Sequence, residues 1–200
     1  MYERKDALHQ RAKRQGYRSR AAYKLLELQK RTRVLRRGDR MVDLGAWPGG
    51  WLQVGAAIVG ASGRVVGVDV AAIDPLPAPH IVTIRADVTD PDCAERIAGA
   101  LGRPADVILS DLAPKLTGIA PRDAARYEIL AKATRRITTH VLRDGGTLIT
   151  KTFGGREGDA VREQLEELFG CVRRLGLEST RKGSSELYLV ARQFKKKRPD

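Results

Sequence analysis

The chain has 200 residues, of which 42% are hydrophobic, and a formal charge of +13. That length suits one domain with at most a short appendage, and the apolar content excludes a disordered chain as a whole. Cys93 and Cys171 are its only cysteines and lie far apart, which excludes a disulfide framework and a CxxC zinc cluster and makes a reducing compartment the expectation.

Residues 1–40 carry fourteen Lys/Arg against Glu3, Asp6, Glu27 and Asp39, a net +10. Seven of those cations fall in the first twenty residues with no apolar stretch between them, so they are no secretory signal, and a cytoplasmic location is expected. From Ser19 to about Arg31, Ala22, Leu25 and Leu28 recur at helical spacing. A basic amphipathic helix follows from that period, with Ser19 as its N-cap. MVDLG at residues 41–45 reads as a strand, Pro48-Gly49-Gly50 as a tight loop, and the next stretch to about Val59 as a helix. The longest apolar run, Val54 to Ala61, is far short of the ~20 residues that span a bilayer, so no membrane partner is expected.

Four further Val/Ile/Leu-rich runs follow, at residues 64–70, 80–87, 105–111 and 146–153, with helical patterns between them such as 123–142. Strands alternating with helices predict a parallel sheet. A last helix near 157–169 precedes two strand candidates, 171–177 and 186–192, joined by a Ser/Lys/Gly-rich connection that predicts an antiparallel hairpin. Residues 181–200 hold seven Lys/Arg against two acids. Two basic ends therefore flank a near-neutral body, the pattern of a core with arms for a phosphate backbone, although Lys195 to Arg198 reads equally as a solubilising tail. Aromatic residues make up 5% of the chain, so shape and phosphate recognition fit better than base stacking.

Ligands of open parallel sheets bind at the carboxyl ends of the strands. Gly45, Asp69, Asp87, Asp111 and Lys151 each fall at or just after the end of an apolar run. The loop from Gly45 to Gly50 resembles a dinucleotide loop until its middle, where Trp47 stands in place of the glycine that lets backbone approach a pyrophosphate. Asp69 remains suited to ribose hydroxyls, so an adenosine cofactor without phosphates is expected, and S-adenosylmethionine meets that description.

Four blocks, in order, carry a family resemblance: YRSRAAYKL at 17–25, VDLGAWPGGW at 42–51, SDLAP at 110–114 and SSELY at 184–188. They resemble the FtsJ-type ribosomal RNA 2′-O-methyltransferases. The resemblance implies a Rossmann-like α/β fold with a seven-stranded, mostly parallel sheet and a C-terminal antiparallel strand. It implies a basic arm and helix over 1–38, a methyltransferase domain over 39–193 and a basic tail over 194–200. Its catalytic tetrad falls on Lys24, Asp111, Lys151 and Glu186, and its S-adenosylmethionine contacts on Gly49, Trp51, Asp69, Asp87 and Asp111, with Gly45 opening the loop. The implied substrate is a uridine in the A loop of 23S ribosomal RNA, met in the assembling 50S subunit. Trp47 replaces an alanine of the family's loop.

The chemistry agrees. A ribose hydroxyl is a poor nucleophile and must be positioned and partly deprotonated to accept a methyl group. A lysine serves as base only with a lowered pKa, which burial and a second cation provide. Lys151 is therefore the expected base, Lys24 the second cation, and Asp111 and Glu186 the groups that orient them. Lys24 and Glu27, three apart on a helix, would otherwise be an ordinary surface pair. His9, His80 and His140 show no ligand spacing, so no metal is expected, and the chain is expected to act as a monomer. The competing readings are a transfer RNA ribose methylase, a non-catalytic ribosome assembly factor on the same fold, and a nicotinamide oxidoreductase, which Trp47 disfavours.

Overall fold

The computed structural model describes residues 7–114, 117–180 and 185–196. Arg4, Lys5, Ser184, Lys197 and Arg198, which belong to the expected basic ends and to one motif, lie outside the described residues. The elements run α1 (Ala7–Arg14), α2 (Ala22–Thr32), β1 (Arg40–Leu44), α3 (Gly50–Val59), β2 (Arg64–Asp69), β3 (Ile81–Arg85), α4 (Cys93–Leu101), β4 (Ala105–Ser110), α5 (Ala120–Val141), β5 (Leu142–Phe153), α6 (Arg156–Glu166), β6 (Phe169–Leu175) and β7 (Glu186–Phe194).

The seven strands form one sheet in the order β3-β2-β1-β4-β5-β7-β6. The first five pair in parallel, and β7 runs antiparallel to both β5 and β6. Strand order reverses between β1 and β4, which places a crevice at their carboxyl ends. Successive side chains of a strand face opposite sides. Val42 and Leu44 accordingly join a core with α4, α5 and α6, while Met41 joins one with α2 and α3. A central parallel strand is covered on both faces, which is why β1 reads as an unbroken apolar run apart from Asp43.

Two local expectations change. Residues 7–14, part of the expected basic arm, form a helix of their own, with Ala12 buried. Ser19 does not cap α2: the N-cap is Ala21, with no side-chain cap bond. Ala22 N instead donates to Ser19 O at 3.2 Å, a turn ahead of the helix. The reason is packing, since a Cβ on Gly50 would lie 2.4 Å from Ser19 Oγ, so the serine sits flush against the start of α3.

Candidate active site

All five strand-end residues lie at the carboxyl edge of the parallel strands. Gly45 follows β1, Asp69 ends β2, Asp87 lies two residues past β3, Asp111 follows β4, and Lys151 is two residues from the end of β5. Lys24 arrives from α2, which is docked by Leu25 and Leu28, both 0% exposed. Burying a leucine contributes roughly 1.5–3 kcal/mol, so the helix is anchored on the residues flanking its lysine. Glu186 arrives on β7, whose antiparallel register sets it opposite Phe153 and sets Tyr188 opposite Lys151.

These four side chains meet. Lys151 Nζ lies 3.1 Å from Asp111 Oδ1 and donates to Asp111 O at 2.7 Å. Lys24 Nζ lies 3.8 Å from Asp111 Oδ2 and 2.6 Å from Glu186 Oε1. One carboxylate thus stands between two lysines, with a second carboxylate on the outer one. Lys24 does not pair with Glu27. Glu27 instead accepts from Glu178 N at 3.0 Å, Ser179 N at 3.0 Å, Ser179 Oγ at 2.8 Å and Arg31 Nη1 at 3.1 Å. Burial raises the Glu27 pKa, but those hydrogen bonds outweigh it and hold the carboxyl below its ordinary value. One helix therefore presents Lys24 and, a turn later, clamps the connection that leads to Glu186.

Sequence reasoning did not single out three further groups. Tyr188 Oη donates to Asp111 Oδ1 at 2.7 Å and lies 3.3 Å from Glu186 Oε1. Burial, reinforced by the two carboxylates, drives its pKa far above that of an ordinary phenol, so it remains a donor. Asp43 is 1% exposed, and neither of its carboxylate oxygens has a hydrogen-bond partner among the described residues. Burial, then the neighbouring Asp111 and Asp69, push its pKa well up. Arg18, counted among the basic arm, spends its guanidinium on the protein: Nη1 donates to Asp74 O at 2.6 Å and Nη2 to Pro75 O at 2.6 Å. It staples the chain before α2 to the rim of the crevice.

On the glycine-loop side, Gly45 has φ +85°, and a Cβ there would meet Leu112 Cδ2 at 3.1 Å. Gly49 has φ +108° and is the N-cap of α3, which has no side-chain cap, so the first-turn N–H groups of that helix are available. The Trp51 indole is buried and its Nε1 donates to Ala21 O at 2.7 Å, which leaves only its main chain for a ligand. Asp69 Oδ2 accepts from Trp47 N at 2.9 Å and Oδ1 from Ala71 N at 2.9 Å. Asp87 Oδ1 accepts from Thr89 N and Oγ1, each at 2.8 Å. The Trp47 side chain is 60% exposed.

The FtsJ-like methyltransferase profile matches residues 17–194. The chain belongs to the FtsJ-like methyltransferase family. It is 44% identical over 195 residues to ribosomal RNA large subunit methyltransferase E of Methanothrix thermoacetophila, covering 96% of this chain and 74% of that one. It is 42% identical over 193 residues to the protein of the same name from Methanothermobacter thermautotrophicus, covering 96% and 92%. A Plasmodium falciparum crystal structure described as a ribosomal RNA methyltransferase superposes with a TM-score of 0.76 at 27% identity, over 89% of this chain and 98% of that one.

A methyltransferase of this family needs a methyl donor, and the crevice suits one that carries positive charge. Asp43, with two buried and unpartnered oxygens, and Asp69 and Asp111 gather around the first strand end. Such a cluster favours a cation and disfavours a pyrophosphate.

Proposed function

We propose that this chain is an S-adenosylmethionine-dependent ribose 2′-O-methyltransferase acting on large-subunit ribosomal RNA, with the 2′-hydroxyl of an A-loop uridine in the assembling subunit as its target. The observation that carries the reading is the Asp111 carboxylate held between Lys151 and Lys24. The names of the relatives favour ribosomal over transfer RNA.

S-adenosylmethionine, when bound, supplies an electrophilic sulfonium methyl group. On this reading Asp69 receives the ribose hydroxyls, the main chain from Gly45 through Gly49 to Trp51 lines the methionine end, and Asp87 offers Oδ2 to the adenosine. Asp111 would stand where the donor crevice meets Lys151 and Lys24.

Lys151 acts as the base. A neutral amine has two N–H donors and one lone pair. Asp111 presents two acceptors to Lys151, its main-chain O and its Oδ1, so both N–H groups are occupied and the lone pair is left for the ribose hydroxyl. As the carbon–oxygen bond forms and the methyl carbon–sulfur bond breaks, leaving a neutral thioether, the hydroxyl proton would pass to Lys151 Nζ and the resulting ammonium would be held by the same carboxylate. Lys24, braced by Glu186 at 2.6 Å, faces the developing oxyanion as a fixed positive charge. Lys24, Lys151 and Asp111 keep 11%, 8% and 19% of their side-chain surface exposed, a depth at which charges are only weakly screened. The 2′-hydroxyl is also the group that distinguishes RNA from DNA.

The test presents methyl-labelled S-adenosylmethionine with three acceptors from methylation-deficient cells: large ribosomal subunits, free 23S RNA and transfer RNA. Label confined to the A loop of 23S RNA supports the proposal; label on transfer RNA supports the ribose methylase of that class instead, and no transfer to any acceptor supports a non-catalytic assembly factor.

A further inference from the structure

The basic ends of the chain do not all gather at the catalytic edge. β7 is antiparallel, so Glu186 stands at the carboxyl edge of the sheet while Gln193 and Phe194 stand at the opposite edge. Seven residues at ~3.3 Å each put roughly 23 Å between Glu186 and Gln193. Lys195 and Lys196 follow β7 at that far edge, where Lys196 N donates to Asp144 Oδ1 at 3.1 Å. α2 points the same way, from Lys24 at the catalytic edge to Arg33 about 13 Å along its axis at ~1.5 Å per residue.

A groove of about 900 Å³ lies at that edge, lined by Arg31, Arg33, Arg36, Arg143, Arg173 and Arg192. Its two acids are already engaged. Asp106 takes Arg143 Nε at 2.7 Å, Arg103 Nη2 at 2.9 Å and Arg40 N at 2.8 Å, and Asp39 Oδ2 takes Arg36 N at 2.7 Å. Arg31 and Arg192 brace the walls through Gly176 O and Thr32 O. Arg33, Arg36 and Arg173 are exposed, and among the described residues none makes a side-chain hydrogen bond or ion pair.

Among the described residues the groove has no aromatic lining, so these residues offer no stacking platform of the kind a single-strand site uses and present what a sugar–phosphate backbone requires. Its backbone is unusual as well. Arg33 (φ 48°) and Gln193 (φ 62°) are the positive-φ residues other than glycine among those described, and both line this groove. Arg33 occupies the position after α2 where glycine or asparagine is favoured.

We propose that this groove binds the phosphate backbone of an RNA helix flanking the methylated nucleotide, so that α2 carries a catalytic lysine at one end and a phosphate clamp at the other. The proposal rests on the RNA substrate argued above. The ~23 Å between the two edges is a span that a short A-form stem, closing the loop that enters the active site, can cover.

The experiment compares the wild type with the triple variant Arg33→Gly, Arg36→Ala, Arg173→Ala. Glycine suits the left-handed position of Arg33, and the other two changes are at exposed sites, so the variant should melt with the wild type. Each protein is titrated, over a salt series, with a 23S RNA fragment holding the target loop and its stem, and with the loop alone. The expected result is a loss of about tenfold or more in affinity for the stem-containing fragment, with the slope of log K against log salt reduced by about two to three. Equal affinity and equal slope for both proteins would overturn the proposal. So would a defect seen with large subunits and not with free RNA, which would assign the groove to a ribosomal protein. Failure of the wild type to methylate any RNA would sink the enzymatic reading separately, because the groove is judged by binding alone.

Discussion

Tyr188 and Lys151 face each other across the antiparallel pairing of β7 with β5, and both reach the same oxygen, Asp111 Oδ1, at 2.7 Å and 3.1 Å. The phenol fixes the rotation of the carboxylate and thereby the position of the amine. Burial and two flanking carboxylates hold the phenol protonated far beyond neutral pH, so its contribution is positional. Tyr188→Phe removes one oxygen and leaves the ring packed against Trp51, 6.2 Å away. Single-turnover methyl transfer should slow by about 10- to 100-fold, the scale of a small misplacement of reacting groups, with donor affinity retained. An unchanged rate would show that Asp111 is oriented without it.

Asp43 should make the protein without its donor less stable as pH rises. Its carboxyl is buried and unpartnered, and its folded pKa is raised by burial, then by Asp111 and Asp69. A raised acid stabilises below its unfolded pKa of ~3.9, and that contribution is lost as pH climbs toward the folded value. Asp43→Asn should therefore match the wild type near pH 4 and melt a few degrees higher at pH 8, since about 1 kcal/mol moves Tm by ~2–4 °C in a chain of this size. Thermal melts across that range test this; parallel curves would contradict it.

Glu27 carries the opposite sign. Its hydrogen bonds to Glu178, Ser179 and Arg31 outweigh burial and depress its pKa, so its contribution is present above the unfolded pKa and lost as pH falls through the folded one. Glu27→Ala leaves the N–H groups of Glu178 and Ser179 without their acceptor, which should cost about 1–3 kcal/mol at pH 7. Urea unfolding should show that gap at pH 7 and a gap that narrows as the solution is acidified through the folded pKa. A reduced rate of methyl transfer should accompany it, because the clamped segment leads to Glu186.

Much of this was legible in the sequence. Short runs of Val, Ile and Leu ending in Gly or Asp gave the parallel strands, and their ends gave Gly45, Asp69, Asp87, Asp111 and Lys151, because a strand buried on both faces carries most of its charged residues where it leaves the core. Tyr188 was not legible in its role, which depends on which strand β7 pairs with and in what register. Asp43 looked like one more letter of a motif; its missing partners exist only in three dimensions. The charge count found both basic ends, but the antiparallel direction of β7 decides that Arg192 and Lys196 stand at the edge of the sheet opposite Glu186. Arg18 shows the limit of counting charges, because its guanidinium is occupied by Asp74 and Pro75 carbonyls.

The most direct test of the central claim is the chemical position of the transferred methyl group. Large ribosomal subunits from methylation-deficient cells are incubated with methyl-labelled S-adenosylmethionine and either the wild type or Lys151→Ala, and the RNA is then digested with alkali. A methylated 2′-oxygen cannot attack the neighbouring phosphate, so the account predicts label in an alkali-resistant dinucleotide with the wild type and its loss with the variant. Label recovered in mononucleotides, or transfer that persists without Lys151, would contradict it.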